Sequence, residues 1–389
     1  MTRALGACAA LLLIGTPFAA GARAEGAWRW ELPRGMPAPP VPADNPMSAR
    51  KVELGRRLFY DTRLSATGAY ACASCHQQAR AFSDGRARAV GATGELHPRS
   101  AMALANVAYN VRFGWDDPET ASLEAQALIP MLNTAPIELG VAGNEARILE
   151  ALRRDRFYAR EFPREFSDAA SGFDLAHVRK AIAAFERTLI SGSSAYDRAV
   201  YGDERDALSP AARRGLALFA SPELACSECH GGPTLGGADA AFHNTGLFNL
   251  DGQGAYPPAG QGLFARTRAP ADVGRFRAPS LRNIALTAPY MHDGSVATLR
   301  DVLAHYARGG RNARAGDGGK PGSRNPHQSE RVRGFALNAE DEAALLAFLE
   351  ALTDEAFVKD ERFSDPFAAM RRAAAAASSV SSAPDEGAH

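Results

Sequence analysis

The sequence predicts a mainly helical protein built from two similar halves. Amphipathic patterns begin behind a serine N-cap at Ser48 and at Ser209, and apolar residues recur there at helical spacing. Both segments end in the pattern Gly-x-x-Leu-Phe, at 55–59 and at 215–219. Strand patterns are scarce, and the Gly/Pro-rich stretch 231–279 favours irregular loops. We therefore expect an internal repeat of one helical unit.

The remaining helices are predicted from apolar spacing and capping signals. One apolar stripe covers 174–189, and later stripes cover 298–307 and 339–352, the last with acidic residues in its first turn. Beyond residue 355 the pattern weakens, and 373–389 is Ala/Ser-rich. We therefore predict a largely disordered tail over 356–389.

Length, composition and charge limit the class of protein. The chain has 389 residues, 46% hydrophobic and 23% charged, so it can bury a sizeable core in more than one domain. We place the first domain at 25–203 and the second at 204–355. The 44 basic and 44 acidic residues balance, so the net charge gives no indication of nucleic acid binding.

The first 24 residues have the features of a signal peptide. Arg3 precedes an apolar run over 4–14, and Ala22-Arg23-Ala24 matches a cleavage signal. The run is too short to span a membrane. We predict cleavage after Ala24 and a periplasmic product with no membrane span; a lipoprotein signal around Cys8 is the alternative.

The four cysteines that remain lie in two Cys-x-x-Cys-His motifs, one after each repeated helix. The copies are Cys72-Ala73-Ser74-Cys75-His76 and Cys226-Ser227-Glu228-Cys229-His230. This pattern is the attachment signal for c-type haem: the thiols bind the vinyl groups, and the imidazole becomes an axial ligand of the iron. A zinc site or a redox dithiol also uses paired cysteines, but neither requires a His after each pair. We predict two covalently bound haems.

Longer runs give the chain a resemblance to the bacterial di-haem cytochrome c peroxidases and, within them, to MauG-like enzymes. The resemblance covers 49–352 and includes Phe113-Gly114-Trp115-Asp116-Asp117, 277–283, 288–294 and 297–306. The stretch 241–257 is most similar to the methanobactin-associated di-haem enzymes. The family implies two cytochrome c-like haem domains with long, irregular haem-wrapping loops. It also implies hydrogen peroxide as the oxidant and a protein as electron donor or substrate.

Tyr306 stands where the resemblance implies the second axial ligand of the second haem, 14 residues after His292. Ordinary peroxidases of the family have a Met there, whereas MauG-like enzymes have a Tyr. A tyrosinate is hard and anionic, so it stabilises higher iron oxidation states than a thioether does. The alternatives are a core tyrosine with a satisfied hydroxyl, or Met291 or His305 as the ligand. His305 should point about 100° away from Tyr306 on one helix.

The resemblance also implies which side chains face peroxide above the first haem. Gln126, Pro130 and Glu138 match the family's distal residues, and Glu138 would move a proton between the two peroxide oxygens as general acid and base. Trp115 matches the tryptophan that relays an electron hole between the haems. On composition alone, Glu138 would be a solvated carboxylate and Trp115 a packing residue.

Two positions depart from the family pattern. Peroxidases that need activation have a His that blocks the first iron, and this chain has Ala92 there; we interpret the nearby His97 as a bystander beside an open iron position. Relatives bind an interhaem calcium through an Asn side chain and two carbonyls. Thr287 and Pro289 match the carbonyl positions, but Ser100 replaces the Asn. Calcium binding is therefore an open prediction.

These expectations combine into a peroxide-dependent oxidase. The two haems would share the oxidising equivalents in a high-valent state and withdraw electrons from a side chain, with Trp as a candidate, on a periplasmic partner protein. The alternatives are a cytochrome c peroxidase that removes hydrogen peroxide and, as a different class, a di-haem electron carrier. Tyr306 argues against both, since tyrosinate gives a low potential, and Glu138 argues against the carrier.

Overall fold

The computed structural model describes residues 28–166, 173–237, 241–311 and 325–371, so the predicted signal peptide lies outside it. Helices predominate and long irregular segments join them, as the sequence predicted. The α-helices are α1 Ala49–Tyr60, α2 Cys72–Cys75, α3 Leu123–Leu132, α4 Glu145–Arg153, α5 Arg156–Glu165, α6 Leu175–Glu186, α7 Ala195–Val200, α8 Pro210–Phe219, α9 Cys226–Cys229, α10 Phe264–Thr267, α11 Leu299–Ala307, α12 Ala339–Glu350 and α13 Glu355–Lys359. Short 3-10 helices occupy Thr62–Leu64, Gln78–Arg80, Val107–Tyr109, Arg205–Ala207, Pro258–Gly260, Pro270–Asp272, Ile284–Leu286 and Glu361–Phe363. Strands β1 Phe242–His243 and β2 Phe276–Arg277 pair antiparallel. In the described ranges, no helix has the length and apolarity needed to cross a membrane.

The first hydrophobic core lies where α1 packs on α6. α1 begins at Ser48, whose hydroxyl accepts the Lys51 N–H as predicted. Leu58 and Phe59 on its inner face are fully buried, and the Phe59 ring lies 5.3 Å from the Phe185 ring of α6. Helices α3, α4 and α5 add apolar side chains around this pair.

The second core repeats this arrangement with α8 and α12. α8 begins at Ser209, whose hydroxyl accepts the Ala212 N–H, and the rings of Phe219 and Phe348 lie 5.1 Å apart across the pair. Tyr196 from α7 also packs here, together with residues of α11. Because Tyr196 lies within 25–203, the chain enters the second core a few residues before the boundary that we place at 203.

A glycine allows the two helices of each pair to approach closely. A Cβ at Gly55 would overlap the carbonyl oxygen of Ala181, and a Cβ at Gly215 would overlap that of Ala344. Each glycine stands four residues before the aromatic residue that contacts the partner helix. The pattern Gly-x-x-Leu-Phe is therefore the sequence signature of one helix crossing that occurs twice.

The segment 355–371 returns to the first half of the molecule. Phe357 and Phe363 belong to the first core, the Phe357 ring lies 5.8 Å from the Phe82 ring, and the Tyr60 hydroxyl donates to the Phe363 carbonyl at 2.8 Å. The predicted disorder is therefore wrong for 356–371, because aromatic burial orders a stretch whose local pattern is weak. The Ala/Ser-rich stretch 373–389 lies outside the described residues.

Asp354 joins the two halves through a buried polar cluster. Its Oδ2 accepts hydrogen bonds from the Ser191 hydroxyl at 3.1 Å and from the backbone N–H groups of Gly192 and Ser193 at 3.0 and 2.9 Å. Its own N–H donates to Asn283 Oδ1 at 2.8 Å. These bonds fix the turn after α6 against the start of the C-terminal segment, so the position of one half depends on the other.

Candidate active site

The first Cys-x-x-Cys-His motif forms the wall of a cavity in the first half. Cys72, Cys75 and His76 all line this cavity, and neither thiol is in a disulfide. His76 Nδ1 contacts the Phe82 carbonyl at 2.8 Å. Because a carbonyl only accepts, Nδ1 carries the proton and Nε2 keeps its lone pair, which is the tautomer that a metal-binding imidazole requires.

Gln126, Pro130 and Glu138 line the same cavity, so the structure brings together the predicted distal residues. Gln126 and Pro130 are four residues apart on α3 and lie on one face of it. The chain then turns back, and the Leu139 N–H donates to the Pro130 carbonyl at 2.8 Å. This bond holds Glu138 beside Pro130.

The environment of Glu138 suits proton transfer near neutral pH. Burial raises the pKa of its carboxyl to about 7, because a low-dielectric environment disfavours the charged form. Its side chain keeps 32% of its exposure, so the carboxyl also reaches the edge of the cavity. A carboxyl with such a pKa can both accept and return a proton.

Glu186 and His97 also line the first cavity, and neither was assigned a role from the sequence. Glu186 of α6 is buried among apolar residues, and burial raises its pKa to about 8. His97, which the sequence suggested was a bystander, lies on the cavity wall with its Nε2 3.9 Å from Glu138 Oε1. The only signal for Glu186 was a carboxylate inside the apolar stripe of α6. Ala92 does not line the cavity. Its N–H donates to the Glu138 carbonyl at 2.7 Å.

The second motif forms the wall of a larger cavity in the second half. Cys226, Cys229 and His230 line it, and His230 Nδ1 donates to the Pro279 carbonyl at 3.1 Å. The second imidazole therefore has the same tautomer and the same type of backbone support as the first. Both cavities thus offer two thiols and one oriented imidazole, which is the donor set of a c-type haem.

Tyr306 of α11 also faces the second cavity. Burial raises the pKa of its phenol, so deprotonation there requires a positive charge nearby, such as a metal ion bound to the oxygen. His305 points elsewhere: its Nε2 donates to the Thr245 carbonyl at 2.9 Å, and it does not line the cavity. Met291 does line the cavity, so it stays a rival on position alone.

Trp115 lines the second cavity and is hydrogen-bonded to the loop that also supplies His97 to the first cavity. Its Nε1 donates to the Ser100 carbonyl at 2.9 Å. The ring lies 6.5 Å from the His292 ring. The backbone carbonyl of Trp115 accepts the Arg277 N–H at 2.8 Å, so both halves fix its position.

Two of the three residues considered for calcium, Ser100 and Thr287, have hydrogen-bond partners within the protein. The Ser100 N–H donates to the His292 carbonyl at 2.9 Å, and its carbonyl already accepts Trp115. The Thr287 hydroxyl donates to the Ile284 carbonyl at 3.1 Å. Within the described ranges, no group of three or more His, Cys, Asp or Glu side chains is placed to hold a metal ion. Calcium through Thr287, Pro289 and Ser100 therefore remains a prediction.

Sequence comparison decides the family. Residues 49–205 match the model of the di-haem cytochrome c peroxidases. The methylamine utilization protein MauG of Methylorubrum extorquens is 36% identical over 316 residues, which cover 81% of this chain and 82% of that protein. The chain belongs to the di-haem cytochrome c peroxidase family. The predicted family is thus confirmed, and the protein is a haem-dependent oxidoreductase of the peroxidase type with two c-type haems.

Other members of the family show the same relationship. The cytochrome-c peroxidase IdrP1 of Denitromonas iodatirespirans is 36% identical over 347 residues, 82% of this chain and 85% of that protein. Among solved structures, a MauG-like protein associated with microbial copper homeostasis is 44% identical and superposes with a TM-score of 0.83, covering 88% of this chain and all of that one. The di-haem peroxidase BthA of Burkholderia thailandensis is 25% identical with a TM-score of 0.61, covering 82% and 90% of the two chains. The predicted fold class and the MauG-like character are confirmed.

Proposed function

We propose that this enzyme uses hydrogen peroxide in the periplasm to oxidise a side chain, with Trp as the first candidate, on a partner protein. The observation that carries the proposal is the pairing of two different sites: a first cavity with a proton-transferring Glu138, and a second cavity with a phenol, Tyr306, at its wall. Reduction of one peroxide to two waters takes two electrons and two protons. A partner side chain would supply the electrons.

In the first site, the protein supplies the proton transfer. His76 would hold the first haem and Glu138 would take a proton from the inner peroxide oxygen and return it to the outer one, which leaves as water. Gln126 and Pro130 shape the same side of the cavity and limit how peroxide approaches. When bound, the haem supplies the iron that accepts peroxide and stores oxidising equivalents.

In the second site, the protein supplies the ligands and the link between the sites. His230 and Tyr306, which line one cavity, would hold the second haem, and the anionic phenolate would stabilise its oxidised form. Trp115 would carry the electron hole between the two haems, since its indole N–H is bonded to the first half and its backbone carbonyl to the second. A calcium ion held by Thr287, Pro289 and Ser100 would add rigidity at this junction.

Removal of peroxide with a small electron-donor protein is the second candidate. It is supported by the relatives that are named cytochrome-c peroxidases, including IdrP1 and the Ccp of Escherichia coli, 37% identical over 68% of this chain and 55% of that protein. A third class, the plain electron carrier, does not use the acid and base chemistry that Glu138 and its cavity offer.

The deciding experiment compares two electron sources. Holoenzyme is mixed with peroxide and either a reduced c-type cytochrome or candidate periplasmic proteins expressed from neighbouring genes. We expect slow turnover of the cytochrome and a mass change in one partner, in units of 16 Da or 2 Da per oxidation. Fast cytochrome turnover with no change of mass in any partner would favour the peroxidase.

A further inference from the structure

His97 is fixed on a short β-like turn that also supports Glu138. The His97 N–H donates to the Ala89 carbonyl at 2.8 Å, and Val90 pairs with Leu96 across the turn. A Cβ at Gly91 would overlap the Ile137 carbonyl oxygen, so the backbone of the turn lies directly against the segment that carries Glu138.

Two hydrogen bonds connect the turn to that segment. The Ala92 N–H donates to the Glu138 carbonyl at 2.7 Å, and the Ile137 N–H donates to the Glu95 carboxylate at 2.9 Å. The relative position of the His97 and Glu138 side chains is therefore set by backbone contacts on both sides.

The tautomer of His97 follows from its other ring nitrogen. Nδ1 lies 3.1 Å from the backbone N of Arg99, which can only donate, so Nδ1 accepts and Nε2 carries the proton in the neutral ring. That Nε2–H lies 3.9 Å from Glu138 Oε1. This distance is too long for a direct hydrogen bond, but a small side-chain rotation brings the two atoms within hydrogen-bond distance.

We propose that His97 is a positioning residue: its Nε2–H holds the Glu138 carboxylate toward the cavity and connects it to solvent at the cavity rim. The inference deepens the proposed function and rests on the role of Glu138 stated there. The His97 side chain is 24% exposed, which gives the pair a route to bulk water. Burial lowers the pKa of His97, so the ring is neutral at pH 7 and acts as a donor through Nε2 alone.

The charged side chains near His97 and Glu138 are engaged with other groups. Arg99 is paired with Asp116 at 2.7 Å, and Arg88 Nε donates to the His97 carbonyl at 2.8 Å. Glu95 faces the backbone of Ile137 and is occupied by its N–H. The Cys75 thiol, which also lines the cavity, would be a neutral thioether once haem is attached.

The test uses two matched variants of the holoenzyme. His97→Asn keeps an acceptor near the Arg99 N–H but removes the donor that reaches Glu138, whereas His97→Gln keeps an N–H near the position of Nε2. The protonated carboxyl of Glu138 is titrated by infrared difference spectroscopy, with Glu138→Gln identifying its band. Because the Nε2–H stabilises the charged carboxylate, we expect the titration midpoint in His97→Asn to rise by about one pH unit. His97→Gln should stay near the wild type.

The same variants are examined for the spin state of the resting first haem and for the pH dependence of its reaction with peroxide. We expect the pH midpoint of the rate to move with the infrared midpoint, and the resting spin state to stay unchanged. An unchanged infrared midpoint in His97→Asn would overturn the inference. A change from low spin to high spin in His97→Asn would also overturn it, since His97 would then be an iron ligand. If Glu138→Gln kept the pH dependence of the wild type, the proposed role of Glu138 itself would be wrong.

Discussion

At the scale of single residues, the role proposed for Glu138 predicts how the rate of the peroxide reaction depends on pH. The residue must be deprotonated to accept the first proton, and burial raises its pKa to about 7. We therefore expect the rate constant to rise with pH through about 7 and to level off above it. Glu138→Gln should lower the plateau about a hundredfold or more and remove this step. Stopped-flow spectra across pH 5.5–8.5 measure both effects; a wild-type profile that is flat over this range contradicts the assignment.

Tyr306 is tested against another tyrosine of the same cavity. Tyr306→Phe removes the phenol oxygen and keeps the ring, so both haems should attach while partner oxidation stops. Tyr290 also lines the cavity, but its hydroxyl donates to the Ile284 carbonyl at 3.2 Å. Tyr290→Phe should therefore keep partner oxidation and the resting spectrum of the second haem. Intact mass, electron paramagnetic resonance and partner mass are the measurements. A Tyr306→Phe enzyme with the resting spectrum of the wild type would return the ligand role to Met291.

At the scale of secondary structure, the repeated helix crossing predicts that replacing its glycine by alanine lowers the stability of the protein, the opposite of the usual effect in a helix. Gly→Ala inside an exposed helix stabilises it by roughly 0.5–1 kcal/mol. At Gly215 the new methyl group would overlap the Ala344 carbonyl of α12, so we expect Gly215→Ala to destabilise the second half by about 1–3 kcal/mol. Denaturant unfolding followed through the second haem measures the change. A gain in stability would show that the helices separate without cost.

Local sequence patterns predicted some of these elements and missed others. The helices around Ser48 and Ser209 were predictable because capping, spacing and the glycine signature all act within twelve residues. The positions of His76 and His230 at their cavities were predictable from the Cys-x-x-Cys-His motifs, and that of Tyr306 from the resemblance to the family. The role of the turn at His97 was not, because its contact with Glu138 arises from loops that share no local pattern. Order in 355–371 was also hidden, since Phe357 and Phe363 are buried by residues about 280 to 300 positions earlier.

At the scale of the whole molecule, Asp354 is one position at which the two halves depend on each other. Asp354→Ala would leave the Ser191 hydroxyl and the two N–H groups of Gly192 and Ser193 without their acceptor. Each buried donor left unsatisfied costs roughly 1–3 kcal/mol, so we expect a loss of about 3 kcal/mol or more and slower electron transfer between the haems. Thermal unfolding and the rate of interhaem equilibration measure these effects. The control is Asp251→Ala on an exposed loop; equal losses in both variants would contradict a special role for Asp354.

The return of 355–371 to the first core also limits how the protein can be divided. A fragment that ends at 203 contains the complete first haem motif, yet it lacks Phe357. The Phe357 ring packs against the Phe82 ring. Phe82 in turn supplies the backbone carbonyl that orients His76. The two haem units are therefore repeats in sequence without being independent modules. Because Phe357 and Phe363 belong to the first core, that core cannot be complete before almost the whole chain has been synthesised.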